Sequence, residues 1–144
     1  MAALIGLYGD TGMVGQEIEK ILAHHDGVEI GYWQNSRRQE GDLDACDVVF
    51  LATKDPESMV FAPPLVSQGR RVIDMSGAFR LPKGRFEAGY GLDHTCPELL
   101  EEAVYGMPAL YAEEISEARR QLCMKVSIFE REQVRHPVGM LGPH

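Results

Sequence analysis

Gly9-Asp10-Thr11-Gly12-Met13-Val14-Gly15 sets three glycines at intervals of three between an apolar run and an amphipathic one. Few folds need that order. The run before it, Ala2–Tyr8, is short and apolar throughout, as a buried strand should be. After it, Val14, Ile18, Ile21 and Leu22 recur at i, i+4, i+7 and i+8, which is one face of a helix, with Gly27 as its stop. Where a strand turns through glycines into a helix, backbone N–H groups can approach an anion and the helix N-terminus adds favourable partial charge. A tight turn needing only backbone freedom would use glycines too. Position after the first strand of a strand–helix–strand unit favours a pyrophosphate site. The cofactor contacts expected in this turn are Gly9, Thr11, Gly12, Met13, Val14 and Gly15.

The elements that follow keep the alternation. Val28–Trp33 alternates and reads as a second strand, and Asp47–Ala52 as a third that is apolar through its centre. Pro56 can open a helix reaching about Gln68, which Pro63 and Pro64 are expected to kink or split. Arg71–Met75 makes a fourth strand. This order predicts an α/β fold, a Rossmann-type parallel sheet flanked by helices. Beyond Ser76 the pattern loosens, with helical stretches expected near Pro97–Ala103 and Ala112–Gln121.

The end of the second strand should meet the adenosine ribose of a dinucleotide, where Asp or Glu suits a 2′-hydroxyl and arginine a 2′-phosphate. Asn35-Ser36-Arg37-Arg38 stands there, with no carboxylate before Glu40. Ser36, Arg37 and Arg38 can hydrogen-bond and neutralise a phosphate dianion, so NADP is expected over NAD. A merely solvated basic loop is the competing reading, since Arg-Arg pairs are common, but the chain is otherwise acidic, with a net charge of −8. The same acidity argues against nucleic acid or an anionic membrane as partner. No apolar run approaches the roughly 20 residues that cross a bilayer. Met1–Leu7 has no basic region and makes a poor signal peptide. Cys46, Cys96 and Cys123 lack metal-ligand spacing and read as reduced thiols, and His94 with Cys96 offers too few ligands for zinc. A cytoplasmic protein without a metal is the expectation.

Three segments together resemble a known family. Gly9–Gly15 followed by Gln16-Glu17 is similar to the nucleotide-binding start of the semialdehyde dehydrogenase superfamily. Val72-Ile73-Asp74-Met75-Ser76-Gly77-Ala78-Phe79-Arg80-Leu81 looks like the family segment that ends a strand and passes Ser and Phe-Arg-Leu toward the active-site cleft. Pro97-Glu98-Leu99-Leu100, Ala103-Val104-Tyr105-Gly106-Met107-Pro108 and Tyr111 closely resemble a stretch of the N-acetyl-γ-glutamyl-phosphate reductases of arginine biosynthesis. The likeness covers about residues 4–120. It implies binding of NADP(H), with Ser76 near the cofactor, and reduction of a small-molecule acyl phosphate to a semialdehyde. In that chemistry a cysteine thiolate displaces phosphate, NADPH reduces the thioester, and a histidine serves as acid/base.

The likeness breaks off at one point. The family's nucleophile sits in Asn-Pro-Gly-Cys-Tyr-Pro, soon after the helix equivalent to Glu113–Arg119. Here the chain reads Arg119-Arg120-Gln121-Leu122-Cys123-Met124-Lys125-Val126-Ser127. Cys123 lacks the turn residues that would expose a thiol, so no catalytic residue is assigned. Lys54-Asp55-Pro56 also replaces the Pro-His-Gly usual after the third strand. The expected organisation is an NADP-binding domain over 1–119 and a tail over 120–144 without family resemblance, from a frameshift or a short form. The chain is then truncated before the substrate and dimerisation domain and inactive alone. Surface left apolar by that absence would favour homo-oligomers. The alternative is a non-catalytic nucleotide-binding or interaction module.

Overall fold

The computed structural model describes residues 2–101, 103–105 and 122–124. Its strands are β1 (Ala3–Tyr8), β2 (Val28–Gln34), β3 (Gln39–Gly41), β4 (Val48–Leu51), β5 (Arg71–Asp74), β6 (Val104–Tyr105) and β7 (Leu122–Met124). They form one sheet in the order β3-β2-β1-β4-β5-β7-β6. Every pairing is parallel except β2 with β3. The α-helices are α1 (Met13–Ala23), α2 (Asp55–Ser67) and α3 (Lys83–Tyr90), with 3-10 turns at Leu43–Ala45 and Pro97–Leu100.

The chain winds outward from β1 in one direction through α1 to β2, and from β4 in the other through α2 to β5. Right-handed crossovers then put α1 and α2 on opposite faces. Burial follows that division. Ile18 of α1 is buried with Ile5 and Leu7. A separate and larger cluster joins Val49, Leu51 and Val72 of the sheet to Met59, Ala62 and Leu65 of α2 and to Phe79, Phe86 and Leu99 beyond β5. The winding reverses between β1 and β4, and the crevice at their carboxyl ends is where open α/β sheets receive ligands.

The expected strands and the first two helices are present, with ends shifted by a residue or two, and the sheet is the expected α/β architecture. Of the expected kink or split at Pro63 and Pro64, the split does not occur: α2 is continuous from Asp55 to Ser67. Proline removes the N–H that would bond the carbonyl four residues back. For Pro63 that carbonyl belongs to Met59, and the buried Cys96 thiol donates to it at 3.6 Å. For Pro64 it belongs to Val60, which lies on the exposed side of the helix.

Several elements were not expected from the sequence. The link after β2 carries the antiparallel strand β3, which has no apolar side chain and is exposed along its length. α3 buries only Phe86 and ends on Gly91 in the left-handed region, φ 66. Of the helix expected over Pro97–Ala103, only the 3-10 turn Pro97–Leu100 forms. β7 enters the sheet between β5 and β6, pairing Cys123 with Ile73 and Val104. The stretch Ala112–Gln121 and the segment Gly106-Met107-Pro108 lie outside the described residues.

Candidate functional site

A cleft of about 850 Å³ opens at the carboxyl ends of β1 and β4. Gly9, Thr11, Gly12, Met13 and Val14 form one wall, Gln34, Asn35 and Ser36 the end beside β2, and Ala52 to Lys54, Glu57 and Phe61 the other wall. The fold delivers these segments together because β1 is the hydrogen-bonded neighbour of both β2 and β4.

The three glycines have different physical reasons. Gly9 holds φ at +83, and a Cβ there would lie 2.3 Å from the Ala52 carbonyl oxygen. A Cβ on Gly15 would lie 2.0 Å from the Gly9 oxygen. Both are needed for the turn to close against the next strand and helix. Gly12 is not. Its Cβ would meet nothing nearer than the Gly9 oxygen at 3.7 Å, so the space beside it is open and faces the cleft. Gly12 is also the N-cap of α1, with no side chain capping the helix and no acidic residue in its first turn. The first amides of α1 are therefore left for an external acceptor, with the dipole favouring an anion. Gln16 steadies the turn by donating to the Thr11 carbonyl at 2.8 Å.

At the other end, the Gly9 N–H donates to the Gln34 carbonyl at 2.7 Å and ties the glycine turn to β2. Asn35 to Arg38 form a closed turn, with the Asn35 N–H donating to the Arg38 carbonyl at 2.8 Å. Asn35 Oδ1 accepts from the Arg37 N–H at 2.7 Å, while its Nδ2 donates to Asp10 Oδ1 at 2.9 Å. Arg38 lies over the Trp33 ring, 4.7 Å from its centroid, and pairs with Glu40 at 2.9 Å and Asp10 at 3.5 Å. Ser36 and Arg37 are exposed, and Ser36 lines the cleft. Of the ten residues expected to contact cofactor, Gly9, Thr11, Gly12, Met13, Val14 and Ser36 line this one cleft, and Gly15 packs directly beneath.

Ser76 sits apart from that lining. Its hydroxyl donates to Asp74 Oδ2 at 2.6 Å and accepts from the Ala78 N–H at 3.1 Å. The segment around it is fixed from two sides, for Asp55 Oδ1 accepts the Gly77 N–H at 2.6 Å and Arg80 donates to the Ser76 carbonyl. Asp74 is fully buried. Desolvation pushes its pKa up to about 6, against the lowering effect of the nearby Ser76 and Ser58 hydroxyls. Behind this segment His94 Nδ1 accepts from the Cys96 N–H, which leaves Nε2 to carry the proton and donate to the Ala78 carbonyl at 2.7 Å. Burial raises the Cys96 thiol to about 11 and also raises Cys46, so neither is a ready nucleophile. No metal-binding group of three or more side chains exists among the described residues, and no helix there is long and apolar enough to cross a membrane.

Sequence reasoning missed Asp10 and Asn35 as parts of the site. The available signal was their placement, one inside the glycine turn and one at the end of the adjacent strand. Thr53 and Glu57 needed the pairing of β1 with β4, which sequence order does not give.

Comparison with known proteins agrees with this geometry. The profile of the family described as "Semialdehyde dehydrogenase, NAD binding domain" matches residues 34–118. Among curated relatives, the N-acetyl-gamma-glutamyl-phosphate reductase of Thermus thermophilus is 37% identical over 137 residues, with 80% of this chain and 39% of the relative covered. That of Herminiimonas arsenicoxydans is 36% identical, covering 80% and 40%. The chain thus spans about two fifths of the length of these relatives. Solved structures share the fold. Aspartate semialdehyde dehydrogenase II of Vibrio cholerae, complexed with ASA, aligns with TM-score 0.59 at 15% identity, covering 86% of this chain and 42% of that one. The Candida albicans enzyme, solved with NADP, gives 0.57 at 16% identity with the same coverage. The profile match over residues 34–118, more than half of the 144-residue chain, means that the chain belongs to the semialdehyde dehydrogenase NAD-binding domain family, and the cleft at the switch point of the sheet agrees with it.

Proposed function

We propose that this chain binds NADP(H) as the nucleotide-binding part of an N-acetyl-γ-glutamyl-phosphate reductase. The observation that carries the reading is the open space at Gly12. No atom of the described residues requires glycine there, yet it stands at an uncapped helix N-terminus that can receive a pyrophosphate. Gly9, Thr11, Gly12, Met13 and Val14 would hold the pyrophosphate, with Gly15 letting the helix pack close. Ser36 and the arginine-bearing turn that follows would take the 2′-phosphate. The Candida albicans relative in fold, solved with NADP, supports the choice of nucleotide. Ser76 would act through Asp74 and the loop it fixes, at the far end of the cofactor.

In the reductase reading, this part binds and orients the reductant, and an acyl phosphate and a thiolate nucleophile come from other parts of the machinery. The proposed organisation remains a nucleotide domain over 1–119 and a separate segment over 120–144, joined to the sheet through β7. The absent Asn-Pro-Gly-Cys segment favours a second reading, a nucleotide-binding module without catalysis of its own. Other proposals, self-association and a cytoplasmic location, go with either.

Fluorescence titration of the 144-residue chain tests the common core. NADPH should bind more tightly than NADH, and the double variant Arg37→Ala/Arg38→Ala should lose most of that difference. Equal affinity of the wild type for the two nucleotides would sink the 2′-phosphate assignment. NADPH-dependent turnover of the acyl phosphate by this chain alone would sink the assignment of no nucleophile.

A further inference from the structure

The geometry points to Asp10 as a specificity-setting residue, one that neutralises Arg38 and fixes the turn so that Arg37 alone is offered to a 2′-phosphate. This deepens, and rests on, the NADP reading above. Asp10 lies inside the glycine turn and is only 7% exposed, whereas the turn's neighbouring residues Thr11 and Gly12 are exposed. A carboxylate taken out of water needs partners, and both of its oxygens have one on the turn after β2. Oδ1 accepts from Asn35 Nδ2 at 2.9 Å, and Oδ2 faces Arg38 Nη1 at 3.5 Å.

Those two contacts divide the labour of the arginines. Arg38 is held on three sides, by the Trp33 ring, by Glu40 and by Asp10. Two carboxylates against one guanidinium leave that cluster with a net charge of −1, a poor receptor for a phosphate dianion. Arg37 is exposed and has no ion pair among the described residues. Its backbone N–H is fixed by Asn35 Oδ1 at 2.7 Å, and the same Asn35 is anchored on Asp10. Asp10 therefore sets the position of Arg37 through one oxygen and quenches Arg38 through the other. A planar, always-charged guanidinium held by its backbone but free at its tip suits a phosphate rather than a hydroxyl.

The test is the ratio of NADH to NADPH dissociation constants in the full chain, for Arg37→Ala, Arg38→Ala and Asp10→Asn beside the wild type. Arg37→Ala should collapse the ratio toward one, and Arg38→Ala should lower it much less. Asparagine at position 10 keeps an oxygen for Asn35 while removing the charge that quenches Arg38. It should raise the ratio about five-fold, the effect of deleting a unit charge roughly 8 Å from a dianion in water. A merely structural Asp10 would weaken both nucleotides together. A wild type that does not prefer NADPH overturns the NADP reading and this one with it. A wild type that does prefer it, with Arg38→Ala losing as much preference as Arg37→Ala, or Asp10→Asn losing preference, overturns only the role given to Asp10. Should circular dichroism show Asp10→Asn unfolded, the comparison of the two arginine variants decides.

Discussion

At the scale of the residue, the glycine turn separates fold from function at neighbouring positions. Gly9 and Gly15 are required by backbone atoms 2.3 Å and 2.0 Å from where a Cβ would stand. Gly12 is required by nothing among the described residues. Gly9→Ala should therefore lower stability by about 2 kcal/mol or more, adding strain at φ +83 to a clash with the Ala52 carbonyl. Gly12→Ala should leave urea denaturation almost unchanged, within about 0.5 kcal/mol, and abolish NADPH binding through its methyl group in the cleft. If Gly12→Ala bound nucleotide normally, the pyrophosphate would have to lie elsewhere. The sequence displayed all three glycines at equal spacing, and it could not say which served the chain and which the ligand. For Gly9 that distinction depends on Ala52, just past β4 and more than forty positions away; for Gly15 it depends on how the turn itself folds back onto Gly9.

Among elements, legibility followed periodicity. β1, β2, β4, β5 and α1 each carry a regular apolar pattern and were readable from it, while α2 was readable only from Pro56 at its start. β3 was not, since Gln39-Glu40-Gly41 has no apolar residue and forms only by hairpin closure on β2. α3 was not, because one buried side chain gives no period. The unbroken α2 shows a different limit. Proline rules describe the helix in isolation, while Cys96, thirty-seven positions away, supplies the donor that Pro63 removes from the Met59 carbonyl. The junction of β5 with α2 also carries a pH signature. Asp74 is fully buried and its folded pKa of about 6 stands above the ordinary 3.8. A raised carboxyl favours the fold most when protonated, so its contribution is complete below pH 3.8 and is lost as pH rises through about 6. At 1.36 kcal/mol per pH unit, the displacement corresponds to at most about 3 kcal/mol. Asp74→Asn, which is neutral at every pH, should therefore gain on the wild type by up to that amount between pH 4 and pH 7 in urea denaturation. A stability difference that does not vary with pH would mean that the carboxyl is not held in its protonated form.

For the molecule as a whole, the sheet order decides where a ligand can act. The cleft lies at the reversal of winding and is walled by segments at the ends of β1, β2 and β4, so a bound dinucleotide would bridge all three. A ligand that binds only the folded state stabilises it by RT ln(1 + [L]/Kd), about 2.7 kcal/mol at a hundred times Kd. For a chain of 144 residues, that raises the midpoint of thermal unfolding by about 5–10 °C. NADPH should produce this shift, and NADH at the same concentration a smaller one. The scans belong at several protein concentrations. Met13 and Ile21, 86% and 65% exposed on α1, are apolar surface through which copies could associate, and association makes the midpoint depend on protein concentration. A shift by NADPH that persists on dilution separates nucleotide binding from self-association. No shift by either nucleotide, with the chain folded, would mean that the cleft binds neither nucleotide and that the glycine turn serves the fold alone.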